Sequence, residues 1–248
     1  MKNIFCFISD THTRHNSIKN MIIDSLKKHN VENGFCIICT GDCMSSGYQL
    51  DELLDFIKWF TQLPFLYKIF VPGNHDRYLE SAGHEFSKNM FEKYYDEGVR
   101  YLHNEGCEIE DKNGLKYSLW GTADQPTFCN WAFNRTTEEL NISYSQIPEN
   151  LDFLCSHCPC FNILDKSHIK TYRNPTGEES LGSKELLKAV NKVNPRYHCF
   201  GHIHGDGGKM ETIGSTTYIN ASVCNEAYQP INKIITLEIE SKHNEVEN

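Results

Sequence analysis

Three apolar runs of strand length, at residues 3–9, 35–39 and 66–71, alternate with two helix-period segments in the first part of the chain. Segment 17–29 places Ile18, Ile22 and Leu26 at i, i+4 and i+8. Segment 50–63 gathers Leu50, Leu53, Leu54, Ile57 and Phe60 on one helical face. Each is an amphipathic helix with an apolar stripe to bury. Strand–helix–strand–helix–strand is the pattern of a parallel sheet with right-handed crossovers, and it leaves little room for an all-helical or all-β answer.

The pattern changes after Gly98. Runs 107–110 and 116–120 flank Asp111-Lys112-Asn113-Gly114, whose Asn-Gly predicts a hairpin turn. Strands follow at 151–155 and 196–200 with a helix at 183–193 between them, and 216–221 with 234–239 is read as an antiparallel pair that ends the fold. Segment 166–182, rich in Lys, Asn, Ser, Thr and Glu, reads as a long surface loop. The expectation is one α/β domain over residues 1–248: two mixed β-sheets face to face, flanked by helices.

Composition supports a packed core, with 39% apolar and 23% charged residues. A net charge of −9 argues against long DNA or RNA as a partner, although bound divalent cations would make an acidic protein locally positive at its site. No run reaches 18 apolar residues and the first residues lack a signal-peptide layout, so the reading is cytoplasmic, with no membrane partner. The 11 cysteines are odd in number and scattered through apolar runs; they read as reduced small hydrophobes, the Cys36/Cys39 and Cys155/Cys158 spacings included.

Chemistry concentrates where strands end. Asp10 and His12 follow the first run, Asp42 the second, and Asn74, His75 and Asp76 the third. His157 follows 151–155, and His202 and His204 follow 196–200. Ligands of open α/β sheets bind outside the carboxyl ends of the strands. Singly, Gly-Asp, Gly-Asn or Asp-x-His is an ordinary turn or cap; together they deliver carboxylates, imidazoles and an amide to one rim. That donor set suits first-row divalent cations and contains no thiolate of the kind structural zinc prefers. Two such ions about 3.5–4 Å apart can clamp both oxygens of an in-line displacement and acidify a water between them, giving hydroxide as nucleophile.

These blocks, D-x-H, G-D, G-N-H-D, a lone His and G-H-x-H in that order from Asp10 to His204, resemble the calcineurin-like metallophosphoesterase superfamily. The resemblance implies a first metal on Asp10, His12, Asp42 and His204, and a second on Asp42, Asn74, His157 and His202. Asp42 would bridge. His75 would be the catalytic residue that reaches substrate, with Asp76 orienting it. The cofactor would be two divalent ions, manganese first, with iron, zinc, nickel or magnesium as alternatives. Trp120-Gly121-Thr122, Gln125-Pro126-Thr127-Phe128, Trp131-Ala132-Phe133-Asn134 and Thr217-Tyr218-Ile219-Asn220-Ala221-Ser222 are similar to the brain-type metallophosphoesterase-domain-containing group. That group resembles class III cyclic nucleotide phosphodiesterases, which implies small phosphodiesters, cyclic nucleotides among them. Here Cys158-Pro159-Cys160 stands where the group has Gly-Pro-Pro.

The aromatic segment 120–134 is read either as core or as an apolar wall for a base or aryl group. Lys166, His168, Lys170 and Arg173 are read mainly as solvated loop charges. Rival functions on the same residues are a phosphomonoesterase, including a phosphoprotein phosphatase, and a metal-binding scaffold without turnover.

Overall fold

The computed structural model describes residues 3–170 and 175–240. Strand β1 (Ile4–Ile8), helix α1 (His15–Lys27), strand β2 (Gly34–Cys39), helix α2 (Leu50–Thr61) and strand β3 (Phe65–Phe70) reproduce the alternation read from the sequence. Helices α3 (Arg77–Ala82) and α4 (His84–Glu92) then lead to β4 (Val99–Tyr101). The remainder comprises β5 (Glu105–Glu110), β6 (Lys116–Thr122), α5 (Thr137–Tyr144), β7 (Phe153–Ser156), α6 (Lys184–Val193), β8 (Tyr197–Phe200), β9 (Lys209–Ile213), β10 (Thr216–Asn220) and β11 (Ile235–Glu238).

One sheet has the order β11-β1-β2-β3-β4, and the other β9-β10-β8-β7-β6-β5. Both are mixed. In the first, β1 to β4 run parallel and β11 lies antiparallel on β1; in the second, β6, β7, β8 and β10 are parallel, with β5 and β9 antiparallel at the edges.

Period-2 alternation explains the layering. In β1, Ile4, Cys6 and Ile8 join the core under α1 and α2, while Phe5 and Phe7 face the other sheet. Phe5 stacks on Phe153 of β7 with centroids 4.7 Å apart and meets Tyr117 of β6 at 5.1 Å. A strand buried on both faces must be apolar throughout, which is why this run shows no polar alternation. The outer face of the second sheet is covered by α5 and α6 through Leu140, Tyr144, Leu186 and Val190. All 11 cysteines are free thiols.

Two sequence expectations are corrected. Segments 216–221 and 234–239 do not pair: β10 lies between β8 and β9, whereas β11 crosses to β1, with Ile4 opposite Glu238. The partner that β10 takes instead, β9, is exposed at every position, so no apolar pattern marks it as a strand. Segment 166–182 is not wholly irregular, since Lys166–Ser167 pairs with Glu179–Ser180. Its Lys166 meets Glu178 at 3.4 Å and its His168 meets Asp206 at 3.3 Å; Arg173 lies outside the described residues.

Deep in β8, His198 is fully buried, with Ser156 Oγ at 2.7 Å from Nε2 and burial pushing its pKa down to about 3. Once unfolded it titrates near its ordinary value of about 6.5. Below that pH the unfolded chain binds a proton that the native chain refuses, so stability falls as pH drops. His198→Leu should lower neutral-pH stability yet flatten the loss between about pH 6 and pH 4 by about 1.4 kcal/mol per pH unit. Denaturant melts at several pH values check this; an unchanged slope contradicts it.

Candidate metal centre

Backbone hydrogen bonds first stitch the ligand loops together. Asp10 N–H donates to Gly41 O, His12 N–H to Asp42 O and Thr13 N–H to Cys43 O, each at 2.9 Å, so the loops after β1 and β2 form one unit. Asp76 locks in the loop after β3: its buried carboxylate accepts N–H bonds from Gly73, Asp42, Cys43 and Met44 at 2.8–3.1 Å. This corrects the expectation that Asp76 orients His75. The group oriented by Asp76 is the backbone that carries Asp42, and His75 is oriented through Nδ1 by the carbonyl of Ser45.

The geometry costs backbone strain. Asp10, His12, Thr13, Asp42 and His202 all have positive φ, at 54°, 40°, 64°, 54° and 68°. Non-glycine residues persist there only when surrounding contacts over-determine them, and such outliers cluster at functional sites. Two glycines make room. A Cβ on Gly73 would strike Asp42 Oδ1 and the His157 ring, and one on Gly201 would strike Asp10 Oδ2.

Three imidazoles are set in the same way. His12 Nδ1 faces Met44 O at 3.2 Å, His157 Nδ1 faces Thr40 O at 2.7 Å, and His204 Nδ1 faces Asn225 O at 3.0 Å. A carbonyl can only accept, so each Nδ1 carries hydrogen and each Nε2 is the free ligand atom, the arrangement of a metal-binding histidine. The Nε2 atoms converge. Those of His12 and His204 are 3.2 Å apart, and His204 Nε2 is 3.3 Å from Asp10 Oδ1. His157 Nε2 is 3.3 Å from Asp42 Oδ1 and 2.9 Å from Asn74 Oδ1. Ser222 Oγ and the His202 N–H fix Asp10 at Oδ2, at 2.7 and 3.0 Å.

Carboxylates and imidazoles shift one another's protonation across the site. Burial raises the carboxyl pKa values of Asp10 and Asp42, but it is outweighed by His204 and His157 at Asp10 and by His157, His75 and His12 at Asp42; both stay below the ordinary range. Burial pushes His12 down to about 4 and His202 to about 3, while at His157 Asp42 overcomes burial and raises the pKa to about 9. Ligand-atom groups within 4.8 Å of one another are Asp10–His12–His204, Asp10–Asp42–His157 and His12–Asp42–His75. Against burial, Asp10 raises the pKa of His204 beside it, and imidazole nitrogens and carboxylate oxygens converge within coordination reach of one another, so the donor set fits divalent metal.

All the site residues read from the sequence therefore come to one rim: Asp10, His12, Asp42, Asn74, His75, His157, His202 and His204. His202 stands slightly apart from the tight groups, its ring meeting His157 at 5.1 Å and lining the cavity. Sequence reasoning misses Ser45, Ser222 and Asn225. Ser45 and Asn225 act here through backbone carbonyls, which leave no trace in a side-chain pattern; Ser222 closes a motif noted for other reasons.

Above the ligands lies a cavity of about 280 Å³, lined by Phe128, Trp131, Ile169, Leu181, Glu226 and Tyr228 among others. The aromatic segment thus divides: Phe133 is core, whereas Phe128 and Trp131 face the site. Trp131 stacks on His75 with centroids 4.0 Å apart, and the Arg77 guanidinium lies 4.2 Å from the same ring.

Removing Asp42, which the resemblance makes the bridge and which stands in two of these ligand groups, is the direct test. Asp42→Ala should bind one divalent ion or none by elemental analysis and lose activity; two tightly held ions in that variant would reject Asp42 as a bridge.

A model of the calcineurin-like phosphoesterase family matches residues 5–206. Metallophosphoesterase domain-containing protein 1 of Homo sapiens is 32% identical over 257 residues, covering 97% of this chain and 72% of that protein, and the Mus musculus protein of the same name gives the same figures. Among solved structures, TT1561 of Thermus thermophilus shares the fold with a TM-score of 0.59 at 12% identity, over 96% of this chain and 99% of that one.

Proposed function

This chain belongs to the calcineurin-like phosphoesterase family, and from that premise we propose that it hydrolyses small phosphodiesters, cyclic nucleotides among the candidates. In this reading Asp10, His12, Asp42 and His204 hold one divalent cation and Asp42, Asn74, His157 and His202 a second. The nitrogen and oxygen donors suit manganese first, with iron, zinc, nickel or magnesium as alternatives. When bound, such a pair supplies Lewis acidity and an acidified water near neutral pH.

The lining of the cavity carries the diester reading. Its charged side chains are Asp42, which belongs to the metal cluster, and Glu226; no Lys or Arg is among the lining residues described. A monoester dianion has about one more negative charge than a diester near pH 7, so it needs cationic side chains more and suffers more beside Glu226. Arg77, the arginine beside the third ligand block, is engaged with Tyr48 and Trp131 instead. Phe128, Ile169 and Leu181, exposed at 60, 47 and 42%, offer the second ester group an apolar surface.

His75 is the acid–base candidate. Its Nδ1 donates to Ser45 O, which leaves Nε2 to exchange a proton with a phosphoryl or leaving-group oxygen. Trp131 holds the ring by stacking, so its first task is to position His75 and only its remaining surface can meet substrate.

Two outcomes are expected. His75→Ala should keep its metal and lose roughly 10²–10⁴-fold in kcat, the range for a general acid–base group. Full activity, or loss of the metals, would show that His75 does something else. Reconstituted with single metals, the wild-type protein should show higher kcat/KM on bis-aryl phosphates and at least one cyclic nucleotide than on the matching monoesters. Monoester preference across that panel would replace this reading with a phosphatase.

A further inference from the structure

Between β10 and β11 the chain makes a turn built on Asn225. The Asn225 side-chain oxygen accepts the N–H groups of Ala227 and Gln229 at 3.0 and 2.9 Å, and its own N–H donates to Gln229 O at 2.8 Å. Tyr228 N–H closes back on Asn225 O at 2.8 Å, the same carbonyl that faces His204 Nδ1. One turn therefore orients a proposed metal ligand and projects the next aromatic side chain.

That side chain is held at φ 56°, a left-handed conformation unfavourable for a bulky residue. No core burial explains it, because Tyr228 is 46% exposed. Its ring stands edge-on to His12 at 4.8 Å and 75°, and to His204 at 5.4 Å and 84°, with His75 at 6.5 Å. It lines the cavity over the ligand cluster. The turn's hydrogen bonds hold the strained residue, and what they achieve is an aromatic ring kept exposed over the candidate ligands.

We infer that Tyr228 is a specificity-determining residue whose aromatic ring contacts the ester group of the bound phosphate ester. The inference rests on the phosphoesterase reading above. It assigns the ring rather than the hydroxyl. The ring lines the cavity with nearly half of the residue's surface exposed, so a flat aryl or base substituent there gains an aromatic contact and a methyl group does not.

The test uses the full chain loaded with metal, with Tyr228→Phe, Tyr228→Ala and Tyr228→Asn compared with wild type. Binding of phenyl phosphate and of methyl phosphate is measured by calorimetry, alongside hydrolysis of bis-aryl and methyl aryl phosphodiesters. Wild type should prefer phenyl over methyl. Tyr228→Phe should keep that preference, and Tyr228→Ala and Tyr228→Asn should lose it by about 3- to 10-fold, the weight of one aromatic contact. Asparagine tolerates the left-handed region, so metal-free Tyr228→Asn should melt at or above the wild-type midpoint. A preference retained in Tyr228→Ala, or lost in Tyr228→Phe, overturns the assignment. So does a Tyr228→Asn midpoint well below wild type with the preference intact, which would make the residue structural. Should wild type hydrolyse only monoesters, the diester reading fails while the binding comparison still decides the role of Tyr228.

Discussion

Asp10 and Asp42 are buried carboxylates whose close ionic partners in this fold are imidazoles, His204 for the first and His157 for the second. Burying ionised groups is costly unless positive charge sits beside them. His157 and His204, raised by Asp42 and Asp10, supply part of that charge, while His12 and His202 are driven toward their neutral forms by burial and keep a nitrogen free to coordinate. A divalent cation would be matched by both kinds of donor at once, carboxylate oxygen and neutral imidazole nitrogen. Much else in the structure serves that arrangement: the Asp76 clamp, the left-handed ligand residues and the glycines that admit Asp10 and Asp42.

The sandwich architecture and the ligand rim were legible because both are written in side chains. A strand buried on both faces must be continuously apolar, so β1 to β3 stood out, and ligands fall immediately after such strands. The exposed strand β9 carries no such signal, so the sequence does not show that β10 pairs with it. Helix α4 is likewise unmarked in the sequence. Its buried positions include only Ser87 and Phe91, too few to announce an apolar stripe.

The parts of the site that escaped the sequence are those made by backbone. The tautomers of the candidate ligands His12, His157 and His204 are fixed by the carbonyls of Met44, Thr40 and Asn225, and His75 by that of Ser45. Any residue type offers a carbonyl, so composition at these positions carries no warning. Trp131 shows the complementary case. Its residue type suits a pocket wall, but its place is set by contacts with His75 and Arg77 that only the folded chain creates.

This division bears on how the centre comes to be ready for metal. Were the ligands held on relaxed loops, ion binding would itself have to order them, and part of its free energy would go into that ordering. Instead the ligand loops are cross-bonded through Asp76 and through the ladder from Asp10 to Thr13, and their left-handed residues are held by these contacts within the fold. The strain is offset by burial elsewhere, above all in the aromatic cluster of Phe5, Tyr117 and Phe153 between the sheets, where one truncation of a large side chain costs about 3–5 kcal/mol. A rigid sandwich core and a strained, preorganised rim are therefore coupled: the first supplies the stability that the second consumes.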